Sequence, residues 1–156
     1  MKSIQILFIG ILLPVAVGAR AAESEAVKSE MTKLQGHWIM VSGSVDGQPI
    51  PEETRKQIKR VYKDDELTVM MGEELFFKAK VTIDPSKKPR TIDYQMKEGN
   101  NAGKTQLGIY EFEGDKLRSC FAAPGAERPT EFKPGEKLTF SEWKLQKEAP
   151  ANEKAK

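Results

Sequence analysis

The chain of 156 residues contains one histidine, His37, and one cysteine, Cys120. A serine-hydrolase triad, a multi-histidine metal site or a haem site would each have to use His37. In a strand that contains His37-Trp38, the two side chains point to opposite faces, so His37 faces solvent if Trp38 faces the core, as we expect. The sequence therefore predicts no catalytic residue, no metal site and no cofactor.

A lone cysteine also excludes a disulfide within the chain, and two interpretations of Cys120 remain. Arg118 shares its face of a predicted strand and could favour the thiolate, which would make a reactive thiol or an intermolecular disulfide. Free cysteine, in contrast, commonly behaves as a small buried hydrophobic residue. We therefore favour burial. A cysteine hydrolase is also disfavoured, because His37 is the only imidazole that could serve the thiol as a base.

Long hydrophobic runs are also scarce. The one candidate, residues 4–17, follows Lys2 and is shorter than the roughly 20 residues that a membrane-spanning helix needs. Small residues after it allow cleavage behind Ala19 or Ala21. We interpret residues 1–21 as a signal peptide and expect an extracytoplasmic protein, periplasmic or secreted, with no membrane span after cleavage. An uncleaved N-terminal anchor is the alternative.

The chain has little net charge, with 25 basic and 23 acidic residues. Lys2 and Arg20 lie in the predicted leader, so the remainder is formally neutral. Without a basic stripe, nucleic-acid binding has little electrostatic support, and we expect no such partner. The small basic patch at Lys87, Lys88 and Arg90 lies beside prolines, as is typical of a solvated turn.

Acidic residues cluster at two predicted hairpin tips, residues 64–66 and 73–74. Carboxylate pairs can perform acid–base chemistry in a buried cleft, and converging loop oxygens can bind calcium. At a hairpin tip, however, such residues are usually solvated turn formers. The sequence also contains no EF-hand, zinc-ligand cluster, P-loop or dinucleotide fingerprint.

The chain is rich in short segments in which apolar and polar residues alternate, separated by turn residues. In the clearest, Leu75, Phe77, Ala79, Val81 and Ile83 share one face. Eight such segments joined by short connections predict an all-β, antiparallel, up-and-down barrel, with an open sandwich as the alternative. The predicted strands are residues 37–45, 58–62, 67–71, 75–83, 92–96, 107–112, 117–121 and 138–145.

Shorter features complete the predicted organisation. Residues 22–33 are polar and helix-tolerant, and we interpret them as a linker ending in a short helical turn. Residues 34–146 form the barrel domain, with one further helical turn near residues 49–56. The tail, residues 147–156, lacks a hydrophobic pattern and is predicted to be disordered.

Gly36-His37-Trp38 resembles the Gly-x-Trp motif at the head of the first lipocalin strand. A wider pattern from Leu34 to about Gln146 is similar to a small domain of unknown function that recurs in exported planctomycete proteins. This resemblance implies a lipocalin-like β fold and no assigned activity. The chain departs from that family at Ser119, which is more often apolar there, and a core-facing hydroxyl would need a hydrogen-bond partner. The pattern includes Asp46-Gly47, Asp84-Pro85-Ser86, Gly108-Ile109-Tyr110-Glu111, Cys120-Phe121-Ala122 and Glu127-Arg128-Pro129.

The residues predicted to meet a ligand are mostly aromatic. For Arg128 two roles remain open: stacking on Trp38 across the barrel end, as the lipocalin resemblance implies, or binding an anionic ligand from a loop. Three functions are weighed: a non-enzymatic carrier of a small apolar or amphipathic ligand, a filled barrel acting as a protein-interaction or structural module, and, least favoured, a hydrolase or isomerase. An internal cavity of several hundred Å³ would favour the carrier. The candidate ligand-binding residues are Trp38, Met40, Phe77, Tyr94, Tyr110 and Arg128.

Overall fold

The structure, a computed structural model, describes residues 17–146. Most of the predicted signal peptide and all of the predicted disordered tail lie outside the described residues. The elements are α1 (Val17–Leu34), β1 (Gly36–Val45), β2 (Gln48–Pro49), α2 (Glu52–Gln57), β3 (Ile58–Lys63), β4 (Glu66–Met71), β5 (Glu74–Asp84), β6 (Arg90–Glu98), β7 (Thr105–Glu113), β8 (Lys116–Ala122) and β9 (Leu138–Gln146).

Eight of the strands close into an antiparallel barrel. From β3 to β9 each strand pairs with the next, and β1 pairs with both β3 and β9. The β1–β9 seam runs from His37 opposite Gln146 to Val45 opposite Thr139. The two-residue β2 pairs only with the end of β1. The predicted all-β antiparallel barrel is therefore confirmed, and the open sandwich is excluded.

Alternation along the strands places one set of side chains inside the barrel. On β5 the inward residues Ala79, Val81 and Ile83 are buried as predicted. Leu75 was predicted on the same face, and this was wrong, because the β4–β5 register shifts between Val69 and Met70. A register shift of this kind re-aims the side chains beyond it. It leaves Leu75 40% exposed.

One end of the barrel, where β1 begins, is closed by helix α1, and we call it the closed end. The helix is eighteen residues long, well beyond the expected turn. Leu34 is fully buried, and its carbonyl accepts a hydrogen bond from Trp38 Nε1 at 2.7 Å. Glu30 is also buried; its Oε2 accepts a hydrogen bond from the Tyr110 hydroxyl at 3.2 Å and lies 3.5 Å from Arg90 Nη1.

The segment between β8 and β9, residues 123–137, packs on the outside of the barrel. Beneath it Cys120 is buried and its thiol points to the carbonyl oxygen of Lys133, at 3.8 Å. Burial raises the pKa of the Cys120 thiol above its usual value. The preferred interpretation of Cys120 as a buried residue is thus confirmed. Arg118 is held by carboxylates, with its Nη1 2.7 Å from Glu111.

Candidate functional site

The end of the barrel opposite α1, which we call the open end, contains a cavity of about 400 Å³. All eight strands of the barrel contribute residues to its wall. The wall is mainly apolar, and its apolar members include Met40, Val69, Met71, Phe77, Met96 and Phe121.

The cavity reaches the protein surface. Val45 and Phe76 both line it, and they are 45% and 51% exposed. Thr54 of α2 and Asn100 and Asn101 of the β6–β7 loop complete the rim. A small molecule could therefore enter between α2 and this loop without opening the barrel.

The wall also contains a buried arginine that the sequence analysis did not single out. On β3, Ile58, Arg60 and Tyr62 share the inner face, and Arg60 is only 5% exposed. Its guanidinium carbon lies 3.8 Å from the centre of the Trp143 ring, close enough for a strong cation–π contact. Nη1 lies 3.4 Å from the Tyr62 hydroxyl, whereas Nε has no hydrogen-bond partner.

The pairing of Arg60 differs from that of three other arginines in the fold. Arg90, Arg118 and Arg128 each form an ion pair with a carboxylate. Within residues 24–146, Arg60 has no such carboxylate. The guanidinium is thus buried, in contact with the face of an aromatic ring, and without a counter-ion from the described chain.

The polar groups around Arg60 are satisfied by one another. Trp143 Nε1 donates to Ser141 Oγ at 2.8 Å, and Ser141 Oγ lies 3.1 Å from Ser119 Oγ. The inward Ser119 hydroxyl therefore has the partner that the sequence analysis required. The Tyr62 and Tyr94 hydroxyls are also hydrogen-bonded to each other. Burial raises the pKa of Tyr94 well above its usual value, although the charge of Arg60 opposes this.

The structure separates the six predicted ligand residues into three in the cavity wall, two at the closed end, and Arg128, which lies elsewhere. Met40, Phe77 and Tyr94 line the cavity. Trp38 and Tyr110 are buried at the closed end and do not belong to its wall.

Arg128 lies outside the barrel, and of the two roles left open for it, stacking on Trp38 is ruled out. Its guanidinium forms two hydrogen bonds with the Asp93 carboxylate, at 2.5 and 3.1 Å, and a third with the carbonyl oxygen of Gly108. Asp93 is on the outward face of β6, between the inward Ile92 and Tyr94. The carboxylate therefore holds Arg128 against the outer wall.

A second depression, of about 560 Å³, lies on this outer wall, beside Lys87, Lys88 and Arg128. Asp93 neutralises the arginine there, and the two lysines are exposed. The lysines of this depression are therefore hydrated, and the charge of its arginine is already paired within the fold. The internal cavity is therefore the stronger candidate for a binding site.

Other candidate groups are exposed. His37 faces solvent as predicted, opposite the buried Trp38. Asp64, Asp65 and Glu73 are exposed at hairpin turns, as expected of turn formers. Across the described side chains, no group of three or more histidine, cysteine, aspartate or glutamate residues is arranged to hold a metal ion.

The described helices include none with the length and apolar character required to cross a bilayer. The chain matches no family model, no curated protein and no solved structure.

Proposed function

We propose that this protein is a non-enzymatic binding protein that holds a small apolar or amphipathic ligand in the cavity at the open end. The observation that carries the proposal is the volume of that cavity, about 400 Å³, combined with an exposed rim. Ligand pockets are typically about 300–1,000 Å³ and mostly apolar. The filled barrel that a pure interaction module would have is therefore less well supported.

The wall of the cavity suits a flexible apolar molecule. Met40, Met71 and Met96 contribute unbranched, polarisable side chains that adapt to different shapes. Protein interiors are otherwise close-packed, and atoms that line a void lose dispersion contacts. A ligand in the cavity would restore those contacts, so binding would also stabilise the open end.

We further propose that the protein acts outside the cytoplasm and belongs to the lipocalin-like planctomycete family. The support is the leader pattern of residues 1–21 and the Gly36-x-Trp38 pattern at the head of β1. Cell fractionation and N-terminal sequencing of the protein made in its own host test the first point. A mature chain that begins after Ala19 or Ala21 is the expected result, and a full-length chain in the cytoplasm would contradict it.

The ligand cavity is tested with N-phenylnaphthylamine, an uncharged probe whose fluorescence rises in apolar sites. We expect saturable binding to the wild-type protein. Met40→Trp places a larger side chain inside the cavity and should weaken binding at least about tenfold, since overpacking leaves no room for the probe. Ile39→Trp, on the exposed face of the same strand, is the matched control. Equal binding by both variants would overturn the proposal.

A further inference from the structure

The arginine in the cavity wall leaves donors unused. A guanidinium carries five N–H donors in a planar fork. In Arg60 one nitrogen contacts the Tyr62 hydroxyl, and Nε has no partner although the residue is 5% exposed. Buried charges are usually paired, because an unpaired one loses its hydration without compensation. The described fold therefore supplies no counter-ion for Arg60, and a bound molecule could provide one.

The surroundings of Arg60 fix its orientation. The guanidinium lies on the Trp143 ring, with the rings of Tyr62 and Tyr94 at 5.8 and 6.0 Å from its central carbon. Contact with three aromatic rings limits the orientations that the fork can adopt. A fork held in place in this way is preorganised for a planar carboxylate, which can accept two parallel hydrogen bonds from it.

The charge distribution selects the sign of the ligand. Arg60 is the one charged residue among the described residues that line the cavity. No carboxylate in this wall would repel an anion or attract a cation. Beyond Arg60 the wall is mostly apolar up to the rim, where Thr54, Asn100 and Asn101 supply neutral polar groups.

From this geometry we propose that the natural ligand is an amphipathic carboxylic acid, whose carboxylate pairs with Arg60 while its apolar part fills the cavity towards the open end. The inference rests on the proposed binding function and adds the chemical class of the ligand. The pair would be a charge-assisted contact in a site shielded from water, where such contacts are strongest.

The test compares three probes of equal chain length, decanoate, decanol and decylamine, by isothermal titration calorimetry with the full chain at neutral pH. Because a hydrogen bond to a charged group strengthens binding, we expect the dissociation constant of decanoate to be about 10- to 100-fold lower than that of decanol. Decylamine should bind more weakly than decanol, because its ammonium would lie against the guanidinium. This series uses the wild-type protein alone and does not depend on any variant folding.

The variant Arg60→Met retains an unbranched apolar side chain and removes the charge. We expect the preference for decanoate over decanol to disappear in this variant. Replacing a buried charge by an apolar side chain of similar volume is often neutral or stabilising, so the fold should persist, as circular dichroism would show. Arg118→Met changes the same residue type on the outer face, and it should keep the wild-type preference.

The outcomes distinguish the two proposals. Equal binding of decanoate and decanol by the wild type, or a preference that survives in Arg60→Met, would overturn the assignment of the carboxylate and leave the ligand cavity standing. Tighter binding of decylamine than of decanoate would also overturn the assignment of the carboxylate. Failure of all three probes and of N-phenylnaphthylamine to bind would overturn the binding function itself.

Discussion

The two ends of the barrel are built from the same strands and differ in how completely they are packed. At the closed end Leu34, Leu67 and Tyr110 are fully buried, and helix α1 fills the space between the strands. At the open end the inward side chains of Met40 and Met71 are only partly buried, and a cavity separates the walls. Packing is thus more complete at one end, and the other contains the cavity proposed as the binding site.

The buried charges show the same contrast. Glu30 at the closed end is 6% exposed and contacts Lys33, Arg90 and the Tyr110 hydroxyl. Arg60 is equally buried, but it has no carboxylate partner in the part of the chain described. A buried charge whose partners come from the fold joins elements together. A buried charge without them, in the wall of a cavity, is the basis for the proposed contact with a ligand carboxylate.

The largest expected effect compares two positions on β4. Leu67 is fully buried at the closed end, whereas Met71 is half-buried and lines the cavity. Leu67→Ala should lower the free energy of unfolding by about 3 kcal/mol, because it leaves a void among packed neighbours. Met71→Ala only enlarges an existing cavity and should cost about 1 kcal/mol or less. Urea unfolding measures both, and equal losses would contradict the difference between the ends.

The alternating pattern of the strands was predictable because it depends on local sequence. The β5 alternation and the Asp46-Gly47 turn placed the strands within a few residues of their observed bounds. The β4–β5 register shift was not predictable, because it depends on how two strands pair. The length of α1 was also missed, since its stability depends on Leu34 and Glu30 being buried against the barrel.

Three of the six predicted ligand residues belong to the candidate site. Met40, Phe77 and Tyr94 were identified because inward aromatic and methionine side chains are the usual wall of a barrel cavity. Arg60 was missed because a charged residue in a strand normally faces solvent. One signal was present: Ile58 and Tyr62 lie two residues away on either side, so Arg60 had to share their inward face.

A smaller effect concerns the pH dependence of the closed end. Burial, and then the charge of Glu30, raise the pKa of Tyr110 above its usual value. The folded protein therefore keeps this proton when an unfolded tyrosine loses it, above about pH 10. The stability linked to Tyr110 is present below that pH and is lost as the pH rises. Tyr110→Phe should cost about 1 kcal/mol near neutral pH, through the lost hydrogen bond to Glu30.

The same variant should be less sensitive to alkali. Above about pH 10 its free energy of unfolding should fall less steeply than that of the wild type, by up to about 1.4 kcal/mol per pH unit. Urea unfolding at about pH 8 and about pH 11 measures the slope. Met71→Ala, which changes no ionisable group, should keep the wild-type slope. An identical slope for Tyr110→Phe and the wild type would show that Tyr110 ionises as readily in the folded protein as in the unfolded one, and would contradict the raised pKa.

The smallest expected effect is a shift in tryptophan fluorescence when decanoate binds. It can compare the two ends because one of the two tryptophans lies at the closed end and the other in the cavity wall. Trp38 hydrogen-bonds to Leu34 at the closed end, and Trp143 lies beneath Arg60 in the cavity wall. Decanoate bound at Arg60 would change the charge next to Trp143 and leave Trp38 in the same packed surroundings. Saturating decanoate should therefore shift the emission of Trp38→Phe, in which Trp143 remains, and leave that of Trp143→Phe unchanged. Calorimetry on Trp143→Phe establishes that decanoate is bound in the silent variant. Equal shifts in the two variants would mean that the ligand changes both ends, and the division between a packed end and a binding end would not hold.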